Sequence, residues 1–362
     1  MSIYLDNNAT TEPLPEVAEA YAQVMKNTWG NPSSDHFIGS EARRVLEDSR
    51  DSVAGFFCVD PQRVVFTSGG TESNELAVTM GLGSDNEYAC SVVEHSSVAK
   101  IAERVASSGG RVQKINVDQD GQVSSHSLQN ALEAGCSTVS IQWANSETGV
   151  IQDIDAISNL CIKFGAALHV DAAQAVGRCL MDQEMLRKID FLTFSGHKLH
   201  APKGVGAIIL GDNQQGRFDD AAGQEGGMRS GTENLPAIAS LAVAMSMRSK
   251  NFQESNEQIR TLRDRFESKL LAINNSIRIN GDSSLRLPNT TNALFAGIRG
   301  DSLIKRLDLE NLFCSQTSAC LMGRPEPSYV LTSMGHSEDE ATSSIRFAFS
   351  IMNTCELSLI HI

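Results

Sequence analysis

The sequence predicts an α/β protein in which a mostly parallel sheet is covered by helices on both faces and joined to a smaller α+β region. Two patterns and the length carry this reading. From Arg63 to Leu210 short apolar runs alternate with segments of helical spacing across brief connections, the signature of strands wound by crossover helices. After a glycine-rich break, AAGQEGGMRSGTENLP, the alternation stops, and a long helical stretch leads into strands grouped around one helix. At 362 residues with 41% hydrophobic and 20% charged side chains, the chain is long enough for a large core plus a second, smaller one. We expect a large domain over 16–250 and a small one built from 1–15 and 251–362.

The elements follow in order. A short apolar run at the amino end gives way to NNATTEP, a turn-rich entry that places Asn7 and Asn8 just past a strand. Residues 16–27 have helical spacing, and the polar loop GNPSSDHFIG feeds a charged helix from about Ser40 to Phe57. RVVFT is a strand, TSGGTESN a turn and ESNELAVTMGL a helix. YACSVVE and SSVAKIAERVASSG repeat that pairing, as do VQKINV and a helix ending near Gly135. STVSIQWANSE, AALHVDAAQ, DFLTFSGHK and GVGAIIL supply further strands, with the helix IDAISNLCIKFG and the segment DQEMLRK between them. Leu235 to Ile273 reads as one long helical stretch. RIN, TNALFAG, NLFCS and SIRFAF are then strands around a helix from about Asp301 to Leu309. No internal repeat or low-complexity tract is visible.

A formal net charge of −14 repels phosphate backbones and anionic lipid, so no direct nucleic-acid binding is expected. The amino end has no basic run followed by an apolar core, and no later segment holds eighteen apolar residues in a row. A cytoplasmic protein with no membrane association is expected. Eight cysteines, scattered without metal-ligand spacing, suit a reducing compartment and predict neither a metal site nor a disulfide framework.

Three places carry chemistry. Lys198 follows the apolar run Phe191-Leu192-Thr193-Phe194 and the small turn Ser195-Gly196-His197. A lysine at the mouth of a sheet, with apolar surroundings, suits Schiff-base chemistry on a carbonyl cofactor. Gly70 and Thr71 lie in the turn TSGGTESN at a helix start, where backbone amides and the macrodipole cradle a phosphate. Asp171 ends the strand of HVDAAQ; facing a pyridine nitrogen, an aspartate turns the ring into an electron sink. Taken singly, each has an ordinary reading too: a surface lysine, a capped helix start, a capping aspartate. His95, after YACSVVE, is by itself either a loop residue or a side chain lying on a cofactor ring.

The motifs LDNNATT, GNPSS, FTSGGTESN, EHSSV, NSETGVIQDI, HVDAAQAVG, SGHKLHAPKGVGA, GMRSGT, TSAC with EPSYVL, and SIRF occur in this order over residues 3–349. Together they resemble the pyridoxal-phosphate cysteine desulfurases of the class V aminotransferase superfamily, whose fold is that of the fold type I pyridoxal-phosphate enzymes. The resemblance implies that Lys198 bonds the cofactor pyridoxal 5'-phosphate. It makes Asp171 and Gln174 partners of the ring nitrogen and phenolic oxygen, and His95 the stacking histidine that also moves protons. It places Gly70, Thr71, Ser195 and His197 in the phosphate cup, with Thr232 lent by the other subunit of a homodimer. Arg346 and Asn8 are implied to meet the substrate, L-cysteine, and Cys320 to accept its sulfur as a persulfide for a sulfur-acceptor protein. The alternatives within the fold are a selenocysteine lyase or an aminotransferase; outside enzymology, a non-catalytic assembly platform.

Some positions depart from the family pattern. Two adjacent asparagines usually precede the glutamate where this chain has Asn145-Ser146-Glu147, so either Asn145 or Ser146 faces the cofactor. Cys314, in the apolar run NLFC, is the rival of Cys320. Gln316-Thr317 and LMGRP flank Cys320 unusually, and the chain continues only sixteen residues past Arg346. These departures favour a dedicated sulfur pathway, DNA phosphorothioation being the one singled out, over general housekeeping supply such as iron-sulfur assembly.

Overall fold

The computed structural model describes residues 2–83, 86–214, 224–316 and 327–354. Its strands are β1 (Ile3–Tyr4), β2 (Val64–Thr67), β3 (Glu87–Ser91), β4 (Arg111–Ile115), β5 (Thr138–Gln142) and β6 (Ala167–Asp171), then β7 (Phe191–Ser195), β8 (Gly206–Leu210), β9 (Ile277–Ile279), β10 (Thr290–Phe295), β11 (Leu312–Phe313) and β12 (Ser344–Ala348). Its helices are α1 (Pro15–Asn27), α2 (Phe37–Phe57), α3 (Gly70–Gly81), α4 (Ser96–Ser107), α5 (Ser125–Glu133) and α6 (Ile154–Phe164), then α7 (Gln183–Leu186), α8 (Leu235–Lys250), α9 (Phe252–Ile273), α10 (Gly300–Leu309), α11 (Tyr329–Ser333) and α12 (Glu338–Thr342).

Seven strands form one sheet in the order β2-β8-β7-β6-β5-β3-β4. All neighbours are parallel except β8, which runs antiparallel to both β2 and β7. Strands β5, β7 and β8 are buried at every residue. A sheet covered on both faces has no solvent side to alternate with, so β8 is apolar throughout, while the polar residues of β5 and β7, such as Ser140 and Thr193, are buried and hydrogen-bonded. The covering helices keep a polar face: α4 buries Val98, Ile101, Ala102 and Val105 and leaves its charged residues outward.

Gly206, at the start of β8, is required by close approach. A Cβ there would lie 2.6 Å from the Phe194 carbonyl oxygen and 2.8 Å from Gly69 Cα, so any side chain would push β8 away from the turn before α3.

A second sheet, β12-β10-β9, is antiparallel and packs its own core of Phe266, Phe347, Phe349, Ile345 and Ile259. NLFC does not join it. Leu312 and Phe313 pair instead with Ile3 and Tyr4 in a parallel two-stranded ribbon, and Leu5 joins the same core. The amino-terminal segment therefore runs from the second core, at β1, across to the turn that follows β7 of the large sheet, where the Thr11 and Leu14 amides donate to the His197 and His200 carbonyls. The single helical stretch expected over Leu235–Ile273 is two helices, broken at Asn251, whose φ of −117° and ψ of 23° are not helical. Apolar periodicity continues through such a break, so the pattern alone did not reveal it. Among the described residues no helix is long and apolar enough to cross a membrane.

Candidate active site

The carboxyl ends of parallel strands, where open α/β sheets bind ligands, deliver the residues. Asp171 is the last residue of β6, Ser195 the last of β7 and Gln142 the last of β5. His95 follows β3 and caps α4, while Gly70 opens α3. They converge on a cavity of ≈ 200 Å³ that is also lined by Asn8, Thr71, Ser146, Gln174, His197, Lys198 and Arg346.

Lys198 donates from Nζ to the carbonyls of Asn8 (2.6 Å) and Ala9 (2.7 Å). The entry segment thus fixes the amine at the cavity wall. Gln174 Nε2 donates to the same Asn8 carbonyl at 3.0 Å, and Asn8 Nδ2 donates to the Ser146 carbonyl at 3.1 Å. Asp171 is buried and receives two donors, Asn74 Nδ2 at 2.8 Å and the Ala173 amide at 2.9 Å.

The start of α3 suits an anion. Its N-cap is Gly69, with φ of 150° and no side-chain capping bond, so the first amides of the helix are left for a ligand. Ser195 closes on this turn: a Cβ on Gly70 would meet its Cβ at 3.4 Å. His197 sits beside it, its Nδ1 3.2 Å from Thr10 Oγ1. Burial first, then the Lys198 charge, pull the His197 imidazole down to about 4, so at neutral pH and without an anion beside it the ring is a neutral hydrogen-bonding group.

Arg346 is 1% exposed. It donates to Asp6 at 2.6 Å and to the Ser146 carbonyl at 3.0 Å, and its Nε has no partner among the described residues. A buried guanidinium with an unused donor on a cavity is suited to a carboxylate. An uncapped helix start, an amine, a buried aspartate and this guanidinium on one small cavity form a donor set that fits a phosphorylated pyridine aldehyde together with an amino acid.

One expected residue is placed outside the cavity, one is expected at a second copy's site, and one lies outside the described residues. Asn145 does not line the cavity: its Oδ1 accepts the amides of Glu147 and Thr148 and its Nδ2 donates to the Val93 carbonyl, so it shapes the turn while Ser146 lines the cavity. Thr232 is exposed and is not among the lining residues of this chain. Cys320 lies outside the described residues. The segment that contains it leaves from Ser315, bridged to Arg346 in both directions, and returns at Ser328, whose Oγ donates to Glu147 Oε2 at 2.5 Å.

Asn74, Gln142 and Asp6 were not singled out from the sequence. Each had a weak signal: a polar residue on the inner face of α3, a polar residue ending a strand, and an acid in the entry turn.

Comparison with known proteins places this arrangement. Residues 3–357 match the model of the family described as aminotransferase class-V. The chain is 38% identical over 350 residues to a cysteine desulfurase of Trichormus azollae, covering 96% of this chain and 87% of the relative. A solved NifS-like protein superposes with a TM-score of 0.89 at 30% identity, covering 99% of this chain and 96% of that one. A structure of SspA in complex with cysteine superposes with a TM-score of 0.83 at 28% identity, over 98% of this chain and all (100%) of the other.

Proposed function

Because this chain belongs to the class-V aminotransferase family and is a pyridoxal-phosphate-dependent cysteine desulfurase within it, we propose that it converts L-cysteine to L-alanine with Cys320 taking the sulfur. The observation that carries the reading is the convergence of Lys198, Asp171, the uncapped start of α3 and Arg346 on one ≈ 200 Å³ cavity.

When bound, pyridoxal phosphate supplies an electron sink that loosens the substrate's Cα proton and its Cβ–S bond. The chain's own residues do the rest. Gly70, Thr71, Ser195 and His197 would hold the phosphate, and Asp171 the ring nitrogen with its proton. Lys198 would hold the aldehyde, and its free amine would take and return the substrate Cα proton. Gln174, Ser146 and His95 would hold the ring. Arg346 binds the substrate carboxylate, with Asn8 beside it.

The Cys320 thiolate attacks the substrate sulfur. The Cβ–S bond breaks, an S–S bond forms on Cys320, and the electrons left on carbon are protonated to the methyl group of alanine. A thiol of ordinary pKa near 8.5 needs a nearby cation to react this way at neutral pH, and Arg346, whose backbone pairs with Ser315 at the start of the Cys320 segment, is proposed as that cation. Thr232, exposed in the single chain, is proposed to reach the site of a second copy. The persulfide passes to an acceptor protein. The unusual residues around Cys320, Gln316-Thr317 and LMGRP, favour a dedicated route, DNA phosphorothioation being one.

The test is product analysis. With L-cysteine and a reductant, the protein should release alanine and sulfide in equal amounts, and mass spectrometry without reductant should find one added sulfur on Cys320. A Cys320→Ser protein that still releases sulfide at the parent rate would rule the assignment out.

A further inference from the structure

From the hydrogen-bond geometry of the core we infer that Asn74 is a positioning residue, through which a one-way chain of donors beginning at Tyr88 orients both the Asp171 carboxylate and the His95 imidazole. The inference rests on the proposed role of Asp171 and adds residues to it.

The chain takes one side chain from each of several elements. Tyr88 on β3 donates to Ser140 Oγ on β5 at 2.7 Å, and Ser140 Oγ is 2.8 Å from His169 Nδ1 on β6. His169 Nε2 is 3.0 Å from Thr193 Oγ1 on β7, which donates to Asn74 Oδ1 on α3 at 2.5 Å. Asn74 Nδ2 then donates twice, to Asp171 Oδ2 at 2.8 Å and to Ser97 Oγ at 2.9 Å. Ser97 Oγ is 2.8 Å from His95 Nδ1. All of these side chains from Tyr88 to Ser97 are buried.

The direction follows from counting protons. A carboxylate only accepts, so Asn74 must turn its amide nitrogen toward Asp171 and its oxygen toward Thr193. Thr193 has one proton, and it goes to Asn74; its other candidate, the Val170 carbonyl, is 3.4 Å away. Thr193 oxygen is then an acceptor, which makes His169 the Nε2–H tautomer. Its Nδ1 must accept from Ser140, whose oxygen accepts from Tyr88. Burial pulls His169 down to about 4 and pushes the Tyr88 phenol well above its usual range, so neither group changes protonation near neutral pH.

The other branch fixes His95. The Ser97 amide, which can only donate, lies 3.2 Å from His95 Nδ1. Ser97 Oγ accepts from Asn74 and has its own proton left for the same nitrogen. Neutral His95 is therefore protonated at Nε2, and presents that N–H as a donor.

The test reads tautomers directly. In full-length protein labelled with 15N-histidine, without cofactor, long-range proton–nitrogen correlation should show His169 and His95 protonated at Nε2. In Asn74→Leu, Thr193 loses its acceptor and is free to donate to His169, so His169 should shift toward Nδ1–H. Thr193→Val removes the same link and serves where Asn74→Leu does not fold. Wild-type His169 protonated at Nδ1, or a tautomer unchanged in both variants, overturns the inference. With pyridoxal phosphate bound, Asn74→Leu should lower kcat for alanine formation by about tenfold or more with KM for L-cysteine nearly unchanged; an unchanged kcat also overturns it. Should Asp171→Asn keep full turnover, the role of Asp171 fails, whereas the donor chain is still judged by the His169 tautomer in the cofactor-free protein.

Discussion

The buried Arg346 guanidinium and the half-buried Asp6 carboxylate form an ion pair, Nη to Oδ1 at 2.6 Å, which ties the last strand of the second core to the entry segment. The second Nη group donates to the Ser146 carbonyl. The guanidinium is thereby oriented before any substrate arrives. Arg346→Lys keeps the charge and loses the planar fork, so it should raise KM for L-cysteine by on the order of tenfold or more, measured by alanine release. Asp6→Ala leaves the buried guanidinium without its partner and should lower stability to urea by about 3 kcal/mol.

We propose that Cys314 is a structural thiol and not the nucleophile. Burial, then the nearby Asp6 charge, push its thiol up to about 12, which leaves almost no thiolate at neutral pH. Cys314→Ser should keep sulfide release within about twofold of the parent, while Cys320→Ser should abolish it. Loss of activity in Cys314→Ser with normal activity in Cys320→Ser would exchange the two assignments.

The Lys198 amine is held between the carbonyls of Asn8 and Ala9. Lys198→Ala should still fold and should lose the visible absorbance shift that accompanies bonding of pyridoxal phosphate to a protein amine. A spectrophotometric titration of the purified variant decides it.

Ser328 and Glu147 anchor the point where the chain returns from the Cys320 segment. Both are buried, and a hydroxyl bonded to a carboxylate stabilises by about 1.5–3 kcal/mol. Ser328→Ala should lower stability by that order and slow persulfide formation, while cofactor uptake, which uses other residues, stays normal. Mass spectrometry of Cys320 against time separates the two effects.

Acid should weaken the fold above the carboxylate range. His169, His197 and His200 are each held near 4 in the folded protein against 6.5 ordinarily, chiefly by burial. Between about 6.5 and 4 the unfolded chain binds protons that the folded chain refuses. Stability is therefore fully present above about 6.5 and falls as pH drops, by about 1.4 kcal/mol per pH unit for each histidine. Glu94 works the other way: burial, with Asp171 adding, pushes its carboxyl well up, so the folded chain keeps one proton that the unfolded chain sheds. The net is roughly two protons, or about 2.7 kcal/mol per unit at its steepest. Urea midpoints that do not fall between pH 6.5 and 5 would contradict this.

The sequence alone determined the architecture, which is written locally, and implied the class of chemistry through the order of its motifs taken together. Alternating apolar runs and helical spacing between Arg63 and Leu210 require a wound sheet, and Lys198, Asp171 and the TSGGTESN turn each sit beside a strand end that the same pattern locates. What it did not determine was distance between segments far apart in the chain. Whether Asn145 or Ser146 enters the cavity turned on a tight loop in which Asn145 is consumed by the amides of Glu147 and Thr148. That NLFC would pair with the entry strand, and that Asp6 would meet Arg346, depended on how the second core folds back. The one-way chain through Asn74 was invisible for the same reason: Tyr88, Ser140, His169, Thr193 and Asn74 look like ordinary interior residues one by one. Only the lateral order of β3, β5, β6 and β7 under α3 sets their donors and acceptors within reach, and hydrogen bonds acquire direction only when every partner is in place.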